Sequence, residues 1–137
     1  MTFLVERLAD LRRHLDHLRD IRPRVRTADD LQRDLSLHND VLFSLLMVCQ
    51  LVIDIASELA ARRGIRFDDY ASAIRALAQD ERFSPELVAG LDRLPGFRNI
   101  VVHEYVALDM QRVVDALDRL AMVEQFVAVV RGIEDRA

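Results

Sequence analysis

The stretch VLFSLLMVCQLVI (residues 41–53) is the most apolar run of this chain, and Asp40 and Asp54 flank it. A membrane-spanning helix needs about 20 apolar residues, so this run is too short to cross a bilayer. A buried helix explains the run better, because its apolar side chains point in nearly every direction around the helix axis. The run therefore predicts the central helix of the fold.

The residues around this run predict one long helix that begins after Thr27 and stops at Gly64. Thr27 is a favourable N-cap, and Asp29 and Asp30 would lie at the positive end of the helix. Glycine after two arginines is a typical helix stop. The predicted buried stripe contains Leu31, Leu35, Leu42, Leu45, Leu46, Val52, Ile55 and Leu59.

Helical periodicity also precedes this segment. Near the start of the chain, leucines recur at steps of four and three, with charged residues between them. This stripe predicts a first helix that ends before Pro23 and buries Leu4, Leu8, Leu11, Leu15 and Leu18.

Capping signals and periodicity predict further helices after Gly64. A shorter helix is expected over residues 69–79, and Ser84-Pro85-Glu86 is typical of the start of another. Pro95-Gly96 is expected to break the chain, and Asp109 to cap a final long helix. The buried side of that last helix would contain Val113, Leu117, Leu120, Val123, Val127 and Val130.

The composition agrees with a helical protein. The chain has 137 residues, of which 51% are hydrophobic and 31% charged, a balance typical of a soluble globular domain. Four glycines and three prolines leave few tight turns, which favours helices over a many-stranded sheet. We predict one domain over residues 1–137, an all-α antiparallel bundle of four to six helices.

Charge and cysteine content limit the function classes. A net charge of -4 argues against a protein that coats nucleic acid, and we expect no DNA partner. The same net charge is compatible with a small basic pocket that acts on a phosphodiester. The single cysteine, Cys49, precludes a disulfide framework and indicates a reducing compartment. Charged residues follow too early after Met1 for a signal peptide, so we expect a cytoplasmic protein with no membrane partner.

The segment FRNIVVHEY (residues 97–105) places polar side chains inside an apolar stretch. Imidazole exchanges protons near neutral pH, and guanidinium holds phosphate and stabilises the charge of a phosphorane. Arg98 and His103 together would suffice for metal-independent RNA cleavage, in which the ribose 2′-hydroxyl attacks the adjacent phosphate. From spacing alone, however, a salt-bridged arginine and a hydrogen-bonded core histidine would be the commoner outcome.

Helix geometry complicates a site within one chain. Residues five apart on a regular helix differ by about 140° in direction and about 7.5 Å in rise, so Arg98 and His103 would not converge. Either the helix is irregular here, or a second copy of the chain completes the site. On an uninterrupted helix, Arg98 and Tyr105 would lie on the same face, within about 20°.

The segment resembles the Arg-x4-His-x-Tyr motif of the HepT toxins, within the wider HEPN group of helical domains. The resemblance extends over residues 40–110, including CQLVIDIASELAARRG (residues 49–64) and FDDYASAIRALAQDERFSPELVAGLDRLPG (residues 67–96). It implies a ribonuclease toxin of a type VII toxin–antitoxin module, acting as a homodimer whose motif lines a cleft between protomers. It implies no metal and no cofactor.

Residue by residue, the resemblance makes Arg98 and His103 the catalytic pair and Asn99 a supporting residue. The implied partner is an MntA-like nucleotidyltransferase antitoxin, which transfers AMP from ATP onto Tyr105. This AMP would occupy the anion site of Arg98 and block RNA entry. Two alternatives remain: a non-catalytic helical module that scaffolds or regulates the nucleotidyltransferase, and a plain helical dimer with a structural Arg–His pair.

Two other groups of residues are weaker candidates for a site. His14 and His17 have a spacing compatible with a shared metal, but their charged neighbours favour a solvated face. Asp54, in the apolar central helix, needs a partner, which is either Arg98 or a group elsewhere in the bundle.

A basic cluster follows the central helix and is also a weak candidate. Its arginines would contact RNA phosphates or, as a more ordinary role, complement the carboxyl end of the helix. The cluster consists of Arg62, Arg63 and Arg66.

Overall fold

The computed structural model describes residues 2–136 and shows no strand within them. The eight α-helices of this range are α1 (Thr2–Ile21), α2 (Ala28–Arg33), α3 (Leu35–Arg62), α4 (Tyr70–Arg75), α5 (Pro85–Leu91), α6 (Leu94–His103), α7 (Met110–Leu117) and α8 (Ala121–Asp135). Short 3-10 turns cover Arg22–Arg24, Ala76–Gln79 and Tyr105–Ala107. The predicted all-α fold is confirmed, and several predicted helices are divided into shorter ones.

Helix α3 is the core helix of this bundle. Val41, Val52 and Ile53 are fully buried, as the apolar run predicted. By length and composition alone α3 would be able to cross a membrane. However, 61% of its most apolar 18-residue stretch is buried inside the protein. Such burial is what a core helix shows, so the surrounding helices account for the apolar run.

Helix α1 packs alongside α3, and α8 packs against α1 and α5 and reaches the end of α3. His14 contacts Ser44 and His17 contacts Asp40, so residue numbers fall along α3 as they rise along α1, and the two helices are antiparallel. The whole predicted leucine stripe of α1 is buried against this core. The Arg62 guanidinium of α3 bonds to Glu134 of α8 at 3.0 Å.

The predicted helix over residues 27–64 is interrupted at Asp34. The backbone there is extended, with φ -123° and ψ 99°, and the Asp34 carboxylate accepts a hydrogen bond from the Leu37 N–H to start α3. Thr27 caps α2 as predicted, so each segment has its own N-cap. Leu35, predicted to be buried, follows this break and is 69% exposed.

Three predicted helix ends are confirmed. Gly64 follows α3 with φ +70°, a conformation that glycine adopts without steric cost. The Ser84 side chain accepts from the Leu87 N–H at the start of α5. The Asp109 carboxylate accepts from a backbone N–H at the start of α7.

Two other expectations about helix ends are wrong. The final helix is divided, since α7 ends at Leu117 and α8 begins only at Ala121. Pro95 does not break the chain but lies in the first turn of α6, where its missing N–H is not needed. The break falls before it, between α5 and α6. Helix α6 therefore runs from Leu94 through most of the Arg-x4-His-x-Tyr motif.

Candidate functional site

The motif is divided between a helix and a turn. Arg98, Asn99 and His103 lie on α6, whereas Tyr105 begins the 3-10 turn that follows it. Glu104 ends the helix with φ -131° and ψ 37°. The expectation that Arg98 and Tyr105 share one helix face assumed an uninterrupted helix, and it is therefore wrong.

Arg98 lies partly buried in a network of neutral groups. Its Nε donates to the Gln50 side-chain oxygen at 3.0 Å, and its Nη1 donates to the Asn99 side-chain oxygen at 3.1 Å. The guanidinium carbon lies 5.3 Å from the centre of the Tyr70 ring. Gln50 in turn donates to the Asp54 carboxylate at 2.8 Å. Asp54 was expected to need a partner, and that partner is Gln50. Gln50 connects Asp54 to Arg98, and these two charged residues do not contact each other directly.

This network leaves the positive charge of Arg98 available. Within residues 2–136, no carboxylate lies within salt-bridge distance of its guanidinium. A guanidinium has five N–H donors, and the two hydrogen bonds described above use only part of them. The remaining donors suit an incoming phosphate, which would replace no existing ion pair.

His103 is the last residue of α6 and is exposed to solvent. In the described part of the chain, no hydrogen bond joins its ring to Arg98 or to any other side chain. The helix is continuous from Arg98 to His103, so the two side chains differ in direction by about 140°, as on a regular helix. An irregular helix, the first of the two expected solutions, therefore does not bring them together. One chain therefore presents an anchored guanidinium and a free imidazole in different directions.

Tyr105 is 47% exposed and contacts α3 through a histidine. The Tyr105 hydroxyl lies 2.6 Å from Nε2 of His38, and the two rings meet edge to face with centres 5.8 Å apart. Gln50 and His38 are both on α3, so the two ends of the motif are anchored to the same core helix. Because the numbering falls along α3 as it rises through the motif, α6 and α3 are antiparallel.

Sequence reasoning missed three residues of this site: His38, Gln50 and Tyr70. Each is distant from the motif in the chain, and only the packing of α6 and α4 against α3 brings it close. The polar Gln50 inside the apolar run was the one available signal, because a polar side chain in such a run needs a partner.

The opposite side of α6 lines a separate cavity of about 520 Å³. Phe97 and Ile100 face it from α6, and Val48 and Cys49 face it from α3. Burial raises the pKa of the Cys49 thiol to about 12, so this cysteine is a neutral core residue. Arg98, His103 and Tyr105 do not line this cavity, which is distinct from the motif surface.

The expectation of a solvated face for His14 and His17 is only partly met, since both rings contact α3 although the His17 side chain stays 43% exposed. His14 bonds to Ser44 at 3.0 Å, and burial, followed by the charge of Arg13, lowers its pKa. His17 bonds to Asp40 at 2.7 Å. Over residues 2–136, no three metal-ligating side chains come together.

The basic cluster after α3 is largely engaged within the protein. Arg62 pairs with Glu58 and Glu134, each at 3.0 Å. Arg63 donates to the Gln79 carbonyl at 3.2 Å. These contacts favour the ordinary role, in which cations complement the end of α3, over contact with RNA.

Comparison with known proteins connects this geometry to a family. The family model described as "Ribonuclease HepT-like" matches residues 11–130. The mRNA nuclease HepT of Shewanella oneidensis is 24% identical over 131 residues, which cover 94% of this chain and 96% of that protein.

Solved structures show the same fold. The tri-AMPylated HEPN toxin of Shewanella oneidensis, in complex with an MNT antitoxin, has a TM-score of 0.84 at 24% identity and covers 96% of this chain and 98% of its own. A toxin–antitoxin complex crystallised with AMP-PNP has a TM-score of 0.84 at 22% identity, with coverages of 96% and 99%. The family match spans most of the chain and includes the whole motif, so the predicted resemblance is confirmed: this protein belongs to the HepT-like ribonuclease family.

Proposed function

We propose that this protein is the ribonuclease toxin of a toxin–antitoxin module and cleaves RNA without a metal ion. Arg98 and His103 are the catalytic residues in this proposal, and Asn99 supports Arg98. One observation carries it: Arg98 is held by the neutral side chains of Gln50 and Asn99, which leave its charge for a phosphate. Family membership supports the same activity.

The chemistry needs only groups that the chain contains. The ribose 2′-hydroxyl attacks the adjacent phosphorus, the bond to the 5′-oxygen breaks, and a 2′,3′-cyclic phosphate forms. His103 either accepts the proton of the 2′-hydroxyl or donates a proton to the leaving 5′-oxygen, and water exchanges the other proton. Arg98 stabilises the extra negative charge of the phosphorane.

A homodimer would bring these two groups to one phosphate. Within one chain Arg98 and His103 point in different directions, so a second copy supplies the missing group. Exposed apolar side chains adjoin the motif and support such an interface: Val102 is 43% exposed and Val106 99% exposed. A second copy packed here would remove both valines from water, which is favourable.

An MntA-like nucleotidyltransferase is the proposed antitoxin, and Tyr105 the residue that receives AMP. Tyr105 is 47% exposed, so a second protein can reach this residue. Transfer adds a phosphodiester charge and the bulk of a nucleotide to the motif surface, where both oppose RNA binding. RNA is the proposed substrate of this protein, and ATP is the proposed substrate of the antitoxin. Because both are available in the cytoplasm, the proposed location of the protein is the cytoplasm.

Expression without the antitoxin tests the nuclease. The wild-type chain should arrest growth, and Arg98→Ala or His103→Ala should each abolish the arrest while helical content remains unchanged. Arg93→Ala is the matched control, because this exposed arginine precedes α6 and should leave toxicity intact. Cleavage of RNA by purified protein should persist in EDTA. Growth arrest by the His103→Ala protein would contradict the catalytic role.

Intact mass tests the antitoxin step. Incubation with the cognate nucleotidyltransferase, ATP and Mg²⁺ should increase the mass of the wild-type chain by AMP units. Tyr105→Phe should prevent this increase, whereas Tyr70→Phe, at the other exposed tyrosine, should not. Undiminished modification of the Tyr105→Phe protein would refute the assignment.

A non-catalytic module that scaffolds the nucleotidyltransferase is the second candidate. The divergence of Arg98 and His103 within one chain favours it, since no catalytic pair forms there. Such a module would be harmless when expressed alone and would still co-purify with its partner. These two properties, measured on the wild-type chain, distinguish it from the toxin.

A further inference from the structure

We propose that His38 is the proton acceptor for adenylylation of Tyr105. This inference rests on the proposed function, because it concerns how the tyrosine is modified. It gives a catalytic role to a residue outside the Arg-x4-His-x-Tyr motif and on a different helix.

The contact between the two side chains is short and well oriented. Nε2 of His38 lies 2.6 Å from the Tyr105 hydroxyl oxygen, within the distance that direct proton transfer requires. The rings meet edge to face, with centres 5.8 Å apart and planes at 63°, so a contact between the rings accompanies the hydrogen bond. The contact therefore holds the hydroxyl against the imidazole nitrogen.

The placement of each residue suits its role. His38 is partly buried near the start of α3, the helix that forms the core. Tyr105 lies on a short 3-10 turn and is 47% exposed, so a nucleotide can approach this residue from solvent. The base thus comes from the core helix and the nucleophile from a surface turn.

A phenol needs such a base near neutral pH. Its ordinary pKa is about 10, so the hydroxyl is protonated and is a weak nucleophile. In the proposed step the Tyr105 oxygen forms a bond to the α-phosphorus of ATP. The bond from that phosphorus to the bridging oxygen of the β-phosphate breaks, and pyrophosphate leaves. The phenolic proton moves to Nε2 of a neutral His38 and is then released to water.

The alternative is a role in positioning alone, in which His38 only orients the hydroxyl. A glutamine at this site would retain a hydrogen-bonding group but would not accept a proton. An alanine would remove both functions and leave space that free imidazole can enter. The two variants therefore separate proton transfer from orientation.

The experiment measures the rate at which the purified chain gains AMP with its cognate nucleotidyltransferase, ATP and Mg²⁺. Both His38→Gln and His38→Ala should slow the modification of Tyr105 by about 10²- to 10⁴-fold, the usual contribution of a general base. Added imidazole should restore part of the rate of the His38→Ala protein. Circular dichroism verifies that each variant keeps its helical content.

His17→Gln is the matched control, because His17 also bonds to α3, at 2.7 Å from Asp40, but does not contact the motif. It should be modified at the wild-type rate. A wild-type rate for His38→Gln, or no response of His38→Ala to imidazole, would overturn the role of His38. Undiminished modification of Tyr105→Phe would instead overturn the proposal that Tyr105 receives AMP, so the two failures are distinguishable.

Discussion

The two ends of the motif differ in how the protein holds them. At one end, Arg98 is partly buried and contacts Gln50, Asn99 and the Tyr70 ring, on three different helices. At the other end, Tyr105 lies on a single 3-10 turn, and its hydroxyl has one partner, His38. The fold thus fixes the cation from several sides and leaves the tyrosine at the surface.

This difference matches the two proposed reactions. Stabilising a phosphorane requires a cation that is already in place, because reorganisation during the reaction would cost free energy. Modification by a second protein requires a hydroxyl that this protein can reach. Changes at the Arg98 end should therefore affect RNA cleavage, and changes at the Tyr105 end should affect modification.

The largest expected effect is that of Arg98→Ala on RNA cleavage. Loss of a group that stabilises the transition state lowers kcat by about 10²- to 10³-fold. Arg98→Lys should recover little, since an ammonium group does not reproduce the planar arrangement that contacts both Gln50 and Asn99. Single-turnover cleavage of a labelled RNA measures both variants. Near-normal cleavage by Arg98→Ala would remove the arginine from the mechanism.

Gln50→Leu should have the next largest effect. The substitution keeps a similar volume but removes the acceptor for Nε of Arg98 and the donor to Asp54. A misplaced catalytic group costs up to about 10²-fold, and we expect a decrease in kcat of roughly 10-fold or more.

Cleavage kinetics and thermal unfolding of Gln50→Leu, compared with Gln32→Leu on the exposed surface of α2, separate activity from stability. The Gln32→Leu protein should cleave RNA normally. Unchanged cleavage by Gln50→Leu would show that α3 does not position the arginine.

Tyr70→Leu should have a smaller effect. It removes a cation–π contact with Arg98 at a partly exposed site, worth about 0.5–1 kcal/mol, which corresponds to a decrease in kcat of roughly 2- to 5-fold. Tyr70→Phe keeps the ring and serves as the control, with activity close to wild type. Equal losses in the two variants would assign the effect to the hydroxyl instead of the ring.

The smallest effect is expected for Val106→Ser, in the turn that contains Tyr105. Val106 is 99% exposed in the single chain, so the free energy of unfolding of the monomer should change by less than about 0.5 kcal/mol. Val101→Ser makes the same change at a position that is only 8% exposed, and should cost about 2 kcal/mol or more. Urea unfolding of both proteins tests the contrast. A large loss for Val106→Ser at a protein concentration where the chain is monomeric would mean that the turn is packed within the chain, whereas a loss confined to high concentration would support the proposed dimer interface.

Much of the fold was predictable because its signals are local. The leucine stripe of α1, the stop at Gly64 and the start at Ser84-Pro85 depend on groups within about four residues of one another. The breaks at Asp34 and after Leu117 were missed, because helical periodicity continues across each of them and conceals the local N-cap at Asp34. The motif residues Arg98, His103 and Tyr105 were also identified from the sequence.

By itself, the sequence determined that this protein is helical, that α3 is its core, and that an Arg-x4-His-x-Tyr motif lies among its later helices. Only the tertiary structure decided which groups hold that motif. Gln50 is 48 residues from Arg98, and His38 is 67 residues from Tyr105. Capping and periodicity act between near neighbours, whereas these contacts exist only because α6 packs antiparallel against α3. That packing is a property of the whole apolar core and of no single segment.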